Sequence, residues 1–349
     1  MSRIQIGILG ATGMVGQRFI QLLHTHPLFE IGALTGSERT AGRTYGEAGG
    51  WRLDTPMPAS VRDMPILPSD ASLDTPLVFS ALPSNAAEAA ELRLAQAGHI
   101  VCSNASTFRM TEDVPLLIPE VNPDHLELIH TQRKRRGWSG AIITNPNCTS
   151  TPATMVFRAL LDAFGLRRTM IISMQALSGA GYPGVPSYDM VDNVIPYIGG
   201  EEPKVEREPQ KMLGTLHDGQ ITPAAFVTSA MCNRVPVLEG HLECISVELE
   251  RRPPLEDVIA VLREFRALPQ ELRLPTAPSQ PIVVLDGPDR PQIRRDRDTG
   301  NGMSTVVGRV RECPILGYKL VVLGHNTLRG AAGGSVLNAE LLVAQGYLG

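Results

Sequence analysis

Residues 4–16 read Ile4-Gln5-Ile6-Gly7-Ile8-Leu9-Gly10-Ala11-Thr12-Gly13-Met14-Val15-Gly16: an apolar run, then a glycine turn. The run to Leu9 suits a short buried strand, and Met14, Val15, Phe19, Leu22 and Leu23 then recur at helical spacing. A strand that feeds a helix through glycines brings backbone amides to a helix N-terminus, where the dipole favours an anion. The same spacing elsewhere in a chain could be a plain packing turn. Directly after the first strand of an α/β pattern it predicts dinucleotide binding, with Gly10, Thr12, Gly13, Met14 and Val15 around the pyrophosphate.

Working outward, Ile31 to Thr35, Pro76 to Ala81 and Ile100 to Ser103 read as further strands, with a helix from Ala86 to Gly98. Residues 124–136 form a charged helix, and Ala141 to Thr144 a strand that delivers Asn145-Pro146-Asn147-Cys148 at its carboxyl end. The first part of the chain is therefore a Rossmann-like, doubly wound, mostly parallel unit. Beyond Cys148, Pro152 opens a helix running to about Phe164. Met170 to Gln175, Phe226 to Arg234, His241 to Glu248, Ile282 to Leu285, Ser304 to Val310 and Lys319 to Leu323 then read as mostly antiparallel β, interrupted by a helix over 255–266. A last helix, Leu328 to Tyr347, is expected to pack back on the first unit. The expected fold class is α/β, with a nucleotide-binding domain over 1–147 joined by 325–349, and an α+β domain over 148–324.

At 349 residues the chain holds about two domains. Its 32 Lys+Arg against 36 Asp+Glu leave too little positive field for a nucleic-acid or anionic-membrane surface to be the main business. The run Arg133-Lys134-Arg135-Arg136 reads as a solvated helix end, because no aromatics interleave it. Gly10, Gly13 and Gly16 interrupt the apolar start where a signal peptide needs continuity, and no apolar stretch reaches the about 18 residues a membrane span needs. Five Cys, an odd number without a C-x-x-C pair, argue against a disulfide framework and for a reducing compartment, by default the cytoplasm.

The end of the second strand decides the dinucleotide, since an acid there grips a ribose hydroxyl and repels a 2′-phosphate. The chain offers Thr35-Gly36-Ser37-Glu38-Arg39-Thr40 and then Arg43. Ser37 can donate to a phosphate, and Arg39 and Arg43 can add charge, so NADP is favoured over NAD. Glu38, were it turned to the ribose, would admit NAD as well.

Cys148 sits between a strand and a Pro-opened helix, where the helix dipole is expected to lower a thiol pKa and expose the sulfur. Cys102, Cys232, Cys244 and Cys313 are expected to be buried and inert. A thiolate beside a nicotinamide suggests acyl transfer joined to hydride transfer, with a histidine managing protons. His24, His26, His99, His125, His130 and His217 lie in polar contexts and read as surface residues. His241 differs, because Arg234-Val235-Pro236-Val237-Leu238-Glu239-Gly240-His241 can aim a guanidinium and an imidazole at one cleft. Cys232, His241 and Cys244 lack the fourth ligand and spacing of a zinc site, so no metal is expected.

Taken together, the motifs resemble aspartate-β-semialdehyde dehydrogenases of the fungal and archaeal branch, nearly end to end. The resemblance rests on residues 10–18, Ser103-Asn104-Ala105-Ser106 with Arg109-Met110, Pro146-Asn147-Cys148-Thr149 and the run Gln175 to Gly184. Arg234 with His241, and His325-Asn326-Thr327 before Arg329-Gly330-Ala331-Ala332-Gly333-Gly334, complete it. It implies NADPH-dependent reductive dephosphorylation of β-aspartyl phosphate in lysine, threonine and methionine biosynthesis, by a homodimer or homotetramer. It further implies Cys148 as the thioester-forming nucleophile, His241 as acid/base, and Gln175 as the residue that orients the acyl group. Arg234 would take the substrate carboxylate, Glu201 the ammonium, and Lys204 with Arg109 the phosphate. Asn147 would shape the nucleophile loop, and Ser178, Gly179, Gly181 and Asn326 would border the nicotinamide. Pro203 leaves open which of Glu201 and Glu202 points inward. Malonyl-CoA reductase of the same branch is the main alternative, although a coenzyme A thioester has no use for a Glu/Lys pair. A reductase of another acyl phosphate, such as N-acetylglutamyl phosphate, and a non-catalytic NADP-binding regulator are more distant readings.

Overall fold

A computed structural model describes residues 3–48 and 50–348; the outer ends of the expected domain ranges, at 1 and 349, lie outside the described residues. The opening stretch is β1 (Ile4–Leu9) followed by the helix Met14–Leu23. Six parallel strands form the first sheet in the order β3-β2-β1-β4-β5-β6, with β2 (Phe29–Gly36), β3 (Ile66–Pro68), β4 (Leu77–Ser80), β5 (Ile100–Ser103) and β6 (Ala141–Thr144). β4, β5 and β6 are buried at every residue, as parallel strands covered by helices on both faces must be. The edge strand β3 escapes the sequence reading because its three residues, one of them Pro68, carry no periodic signal.

The second sheet runs β10-β7-β11-β14-β13-β12, built from β7 (Leu166–Gln175), β10 (Val227–Arg234), β11 (His241–Leu249), β12 (Ile282–Leu285), β13 (Thr305–Cys313) and β14 (Gly317–Gly324). The three inner junctions are antiparallel, but β10 pairs with β7, and β12 with β13, in parallel. Long crossovers separate both outer pairs, and a crossover returns the chain in the same direction where a hairpin reverses it. One crossover contains the helix Glu202–Met212 and the hairpin of β8 (Thr215–His217) with β9 (Gln220–Thr222), none of which the sequence reading found. Pro209 inside that helix masks its pattern.

One face of this sheet packs on the helices Ser150–Phe164 and Leu255–Glu264, whose Met155, Phe157, Val258 and Leu262 join Ile171, Ile245 and Val322 in one core. The other face exposes Met170, Ile172 and Met231. The C-terminal segment is a π turn, Leu328–Ala332, continuing into the helix Gly333–Ala344. Its Val336, Leu337 and Leu341 share a core with Ile6, Ile8 and Phe79, so the end of the chain closes over the first sheet.

Three expectations are corrected. His26 and His125 are buried rather than at the surface: His26 Nε2 meets Glu340 at 2.8 Å, and His125 lies between Asn122 and the carbonyl of Gly214. Cys244 is exposed, because strand alternation turns it to the open face of the sheet, away from His241. The third concerns the Cys148 thiol.

Candidate active site

β6 ends in Asn145-Pro146-Asn147-Cys148, and the helix Ser150–Phe164 follows at once. Cys148 and His241 come from different elements: His241 opens β11, 93 residues on, and its Nε2 lies 3.2 Å from Cys148 Sγ. The peptide of Ala176, just past β7, bonds to both His241 and Arg234. Its N–H donates to His241 Nδ1 at 3.0 Å, and its carbonyl accepts from Arg234 Nη1 at 2.8 Å. With Nδ1 accepting, a neutral ring carries its hydrogen on Nε2, facing the sulfur.

The thiol differs from the sequence expectation. Burial, and then the Glu201 carboxylate, push it up to about 12, against the opposing pull of Arg109 and Arg234. The expected help from the helix is spent elsewhere: Asn147 Oδ1 accepts the N–H groups of Thr149 and Ser150 at 2.8 and 3.1 Å. Asn147 Nδ2 in turn donates to Glu201 Oε1 at 2.7 Å. Burial and the nearby Arg234 hold His241 down to about 3, partly offset by Glu201, so the ring is neutral at pH 7. The unliganded pair is thus thiol and imidazole rather than thiolate and imidazolium.

A cleft of about 250 Å³ reaches from Cys148 to Val15 of the first helix, lined among others by Arg109, Ser178, Glu201 and Lys204. Glu201 faces it, while Glu202 turns away to accept the N–H of Cys232 at 3.1 Å. Lys204 Nζ lies 3.3 Å from Glu201 Oε2. Despite burial, which raises it, the bond from Asn147 and the charge of Lys204 hold the Glu201 carboxyl below its usual range. Gln175 is buried beside Arg234 in register, its Nε2 directed to Ser173 Oγ at 3.2 Å. Asn326 Nδ2 donates to Ser178 Oγ at 2.8 Å and its Oδ1 accepts from Gly240 N at 2.7 Å, which anchors the cleft wall to the turn before His241. Gly179 borders the same cleft, and Gly181 borders an adjoining one with Met14 and Tyr182.

At the other end, Gly10 has φ +69°, and a Cβ there would sit 2.9 Å from the Ala81 carbonyl. The helix Met14–Leu23 has no side-chain cap and no acid in its first turn, so its amides remain to receive a phosphate. Ala11 N donates to Thr35 O at 2.9 Å, which brings the end of β2, with exposed Ser37 and Arg39, beside the turn. Arg43 Nη2 is drawn to the Glu47 carbonyl at 2.5 Å.

Two family models match, one described as the semialdehyde dehydrogenase NAD-binding domain over residues 5–129 and the other as its dimerisation domain over 157–329. The aspartate-semialdehyde dehydrogenase of Archaeoglobus fulgidus is 52% identical over 98% of this chain and 99% of its own length. The chain belongs to the aspartate-semialdehyde dehydrogenase family. The Methanothermobacter thermautotrophicus member is 50% identical over 97% of the chain and 99% of its own. Among solved structures, the Candida albicans member with NADP superposes with TM-score 0.91 at 41% identity, covering 99% of this chain and 100% of that one.

The structure also gives contacts to residues for which the sequence reading assigned no role. Glu208 accepts from Arg109 and from Asn147 N. Glu239 pairs with Arg18 at 2.5 Å and accepts from Thr327 Oγ1 at 2.9 Å. Gly330 packs against Cys148 itself. Ala176 contributes only its backbone, for which a sequence carries no sign, and the two glutamates differ from surface acids only in their burial.

Proposed function

We propose that this chain converts β-aspartyl phosphate to aspartate semialdehyde and phosphate, reversibly, with NADPH, in the aspartate pathway of amino-acid biosynthesis. The observation that carries the reading is the Cys148–His241 pair, 3.2 Å apart, with Cys148 lining a cleft that reaches Val15 just after the glycine turn. The nucleotide fits the residues present. Gly10, Thr12, Gly13, Met14 and Val15 would hold its pyrophosphate, Ser37, Arg39 and Arg43 the 2′-phosphate, and Ser178, Gly179, Gly181 and Asn326 the nicotinamide end. When bound it supplies a hydride to the acyl carbon. Arg234, Glu201 and the pair Lys204 with Arg109 meet the carboxylate, ammonium and phosphate, so each charge on the substrate finds its opposite.

Cys148 sulfur attacks the acyl carbon and phosphate leaves, giving a thioester that Gln175 helps to orient. Because Nε2 of His241 already carries a hydrogen, the thiol proton departs with phosphate rather than to the ring. As the carbonyl oxygen gains negative charge during reduction, His241 Nε2–H donates a hydrogen bond to it, and collapse of that tetrahedral oxyanion breaks the C–S bond, freeing the aldehyde and returning Cys148 as thiolate. Asn147 keeps the loop fixed by bonding to the helix amides and to Glu201.

The domain division follows as 1–147 with the C-terminal 325–349, and 148–324. The open face of the second sheet, with Met170, Ile172 and Met231 exposed, supports a homodimer or homotetramer built on it. A nucleophilic thiol and five cysteines without a C-x-x-C pair support a reducing cytoplasm. The test is phosphate- or arsenate-dependent NADP reduction with aspartate semialdehyde, run beside malonyl-CoA-dependent NADPH oxidation. Activity in the second assay alone would transfer the assignment to the coenzyme A thioester.

A further inference from the structure

Glu208 lies in the helix Glu202–Met212, is 2% exposed and takes no step in the chemistry above. Its carboxylate has two partners from separate segments. Oε1 accepts from Arg109 Nη1 at 3.0 Å, and Oε2 accepts from the main-chain N–H of Asn147 at 2.7 Å. One buried anion therefore ties a cleft-lining guanidinium to the residue that precedes the nucleophile. Arg109 is held on other sides too: Nη2 donates to Asn104 O at 2.8 Å, and one turn along the helix Lys211 Nζ donates to Arg109 O at 2.7 Å. Among the described residues Arg109 Nε has no hydrogen-bond partner, so a donor is left over.

This pairing sets charge as well as position. An arginine matched by a buried carboxylate offers a phosphate its donors but little net positive field. Lys204 is matched in the same way by Glu201 at 3.3 Å. An enzyme that must bind and release phosphate in each direction gains nothing from holding it tightly, because equal binding of ground and transition states lowers KM without raising kcat.

We propose that Glu208 is a positioning residue for phosphate exchange: it fixes Arg109 against the nucleophile loop and cancels its charge, so that phosphate is oriented yet loosely held. This rests on the reading of Arg109 as a phosphate ligand. Glu208→Gln keeps the volume and removes the charge. The phosphate KM should then fall roughly three- to tenfold, at most about 1.4 kcal/mol. Alkylation of Cys148 by iodoacetamide should also begin at lower pH, since an uncompensated Arg109 favours the thiolate. The KM for NADP should not move. Glu208→Asp keeps the charge but is too short for both partners, so the phosphate KM should stay within about twofold of wild type while kcat falls. An unchanged or raised phosphate KM in Glu208→Gln overturns the proposal. Should that variant not fold, a lowered phosphate KM or an unchanged kcat in Glu208→Asp overturns it. Arg109→Leu separates the two readings: a raised phosphate KM there, with no change in Glu208→Gln, leaves the function standing and removes only Glu208. An unchanged phosphate KM in Arg109→Leu removes Arg109 from the site and the proposal with it.

Discussion

Gly330→Ala places one methyl group against Cys148. Gly330 lies in the π turn Leu328–Ala332 and is absent from the residues with positive φ, so its backbone accepts alanine and the effect is steric alone. The new Cβ would stand 2.6 Å from Cys148 Cβ and 2.8 Å from its Cα. Carbon atoms in contact prefer about 3.5–4.0 Å, so Cys148 or the turn must yield by roughly 1 Å. The turn is poorly able to do so, since Arg329 beside it makes a buried two-pronged pair with Glu120 at 2.8 and 2.6 Å. Overpacking of this kind costs about 1–3 kcal/mol, and a 1 Å displacement of a reacting group costs about 10²-fold in rate. We expect kcat to fall by about that factor and Tm by several degrees, with the KM for NADP unchanged. The assay is initial-rate NADP reduction with aspartate semialdehyde and phosphate, with a thermal melt of the same sample. Gly199→Ala is the control, because its Cβ would meet nothing closer than Tyr197 Oη at 3.9 Å. A Gly330→Ala enzyme with kcat within threefold of wild type and an unchanged Tm would refute the packing argument.

Free Cys148 should react with iodoacetamide far more slowly at pH 7 than an ordinary thiol, which is a few per cent thiolate there, and its rate should climb with pH; a plateau below pH 8 would contradict a thiol pushed up to about 12 by burial and Glu201. Lys204→Met should raise the phosphate KM sharply while leaving NADP binding intact, and a normal phosphate KM would leave Arg109 as the phosphate ligand. Arg39→Ala should weaken NADP more than NAD in titrations of the two nucleotides, and equal losses would reduce Arg39 to a structural role. Against the upward push of burial, hydrogen bonds from His325 and Arg18 hold Glu239 down to about 2. A depressed carboxyl stabilises the fold above its unfolded value and loses that contribution as pH falls toward the folded one. Glu239→Gln should therefore be less stable near pH 7 by up to about 3 kcal/mol, the difference closing between pH 4.5 and 2 in denaturant titrations.

By itself the sequence determined what is local or periodic. The apolar run to Leu9, Gly10 and the helix after it form a unit whose parts lie next to each other in the chain, and Cys148 sits between a strand and a helix for the same reason. Alternating apolar residues marked most strands of the second sheet, and the family motifs singled out Cys148, His241, Arg234 and Glu201, which the fold brings close together. Tertiary structure decided what depends on partners distant in the chain. That both edges of the second sheet run parallel follows from long crossovers, which leave no mark on the strands. Nothing in the sequence sets Glu208 or Glu239 apart from a surface acid, and only their placement beside Arg109 and Arg18 makes each a connector between segments. The state of Cys148 was legible least of all. Its position before a helix predicts a low thiol pKa, but Asn147 takes the helix amides and Glu201 stands close by, and only the folded chain shows both. A pKa is set by desolvation and by charges within a few ångströms, and those neighbours come from residues 109, 201 and 234, which sequence distance does not reveal.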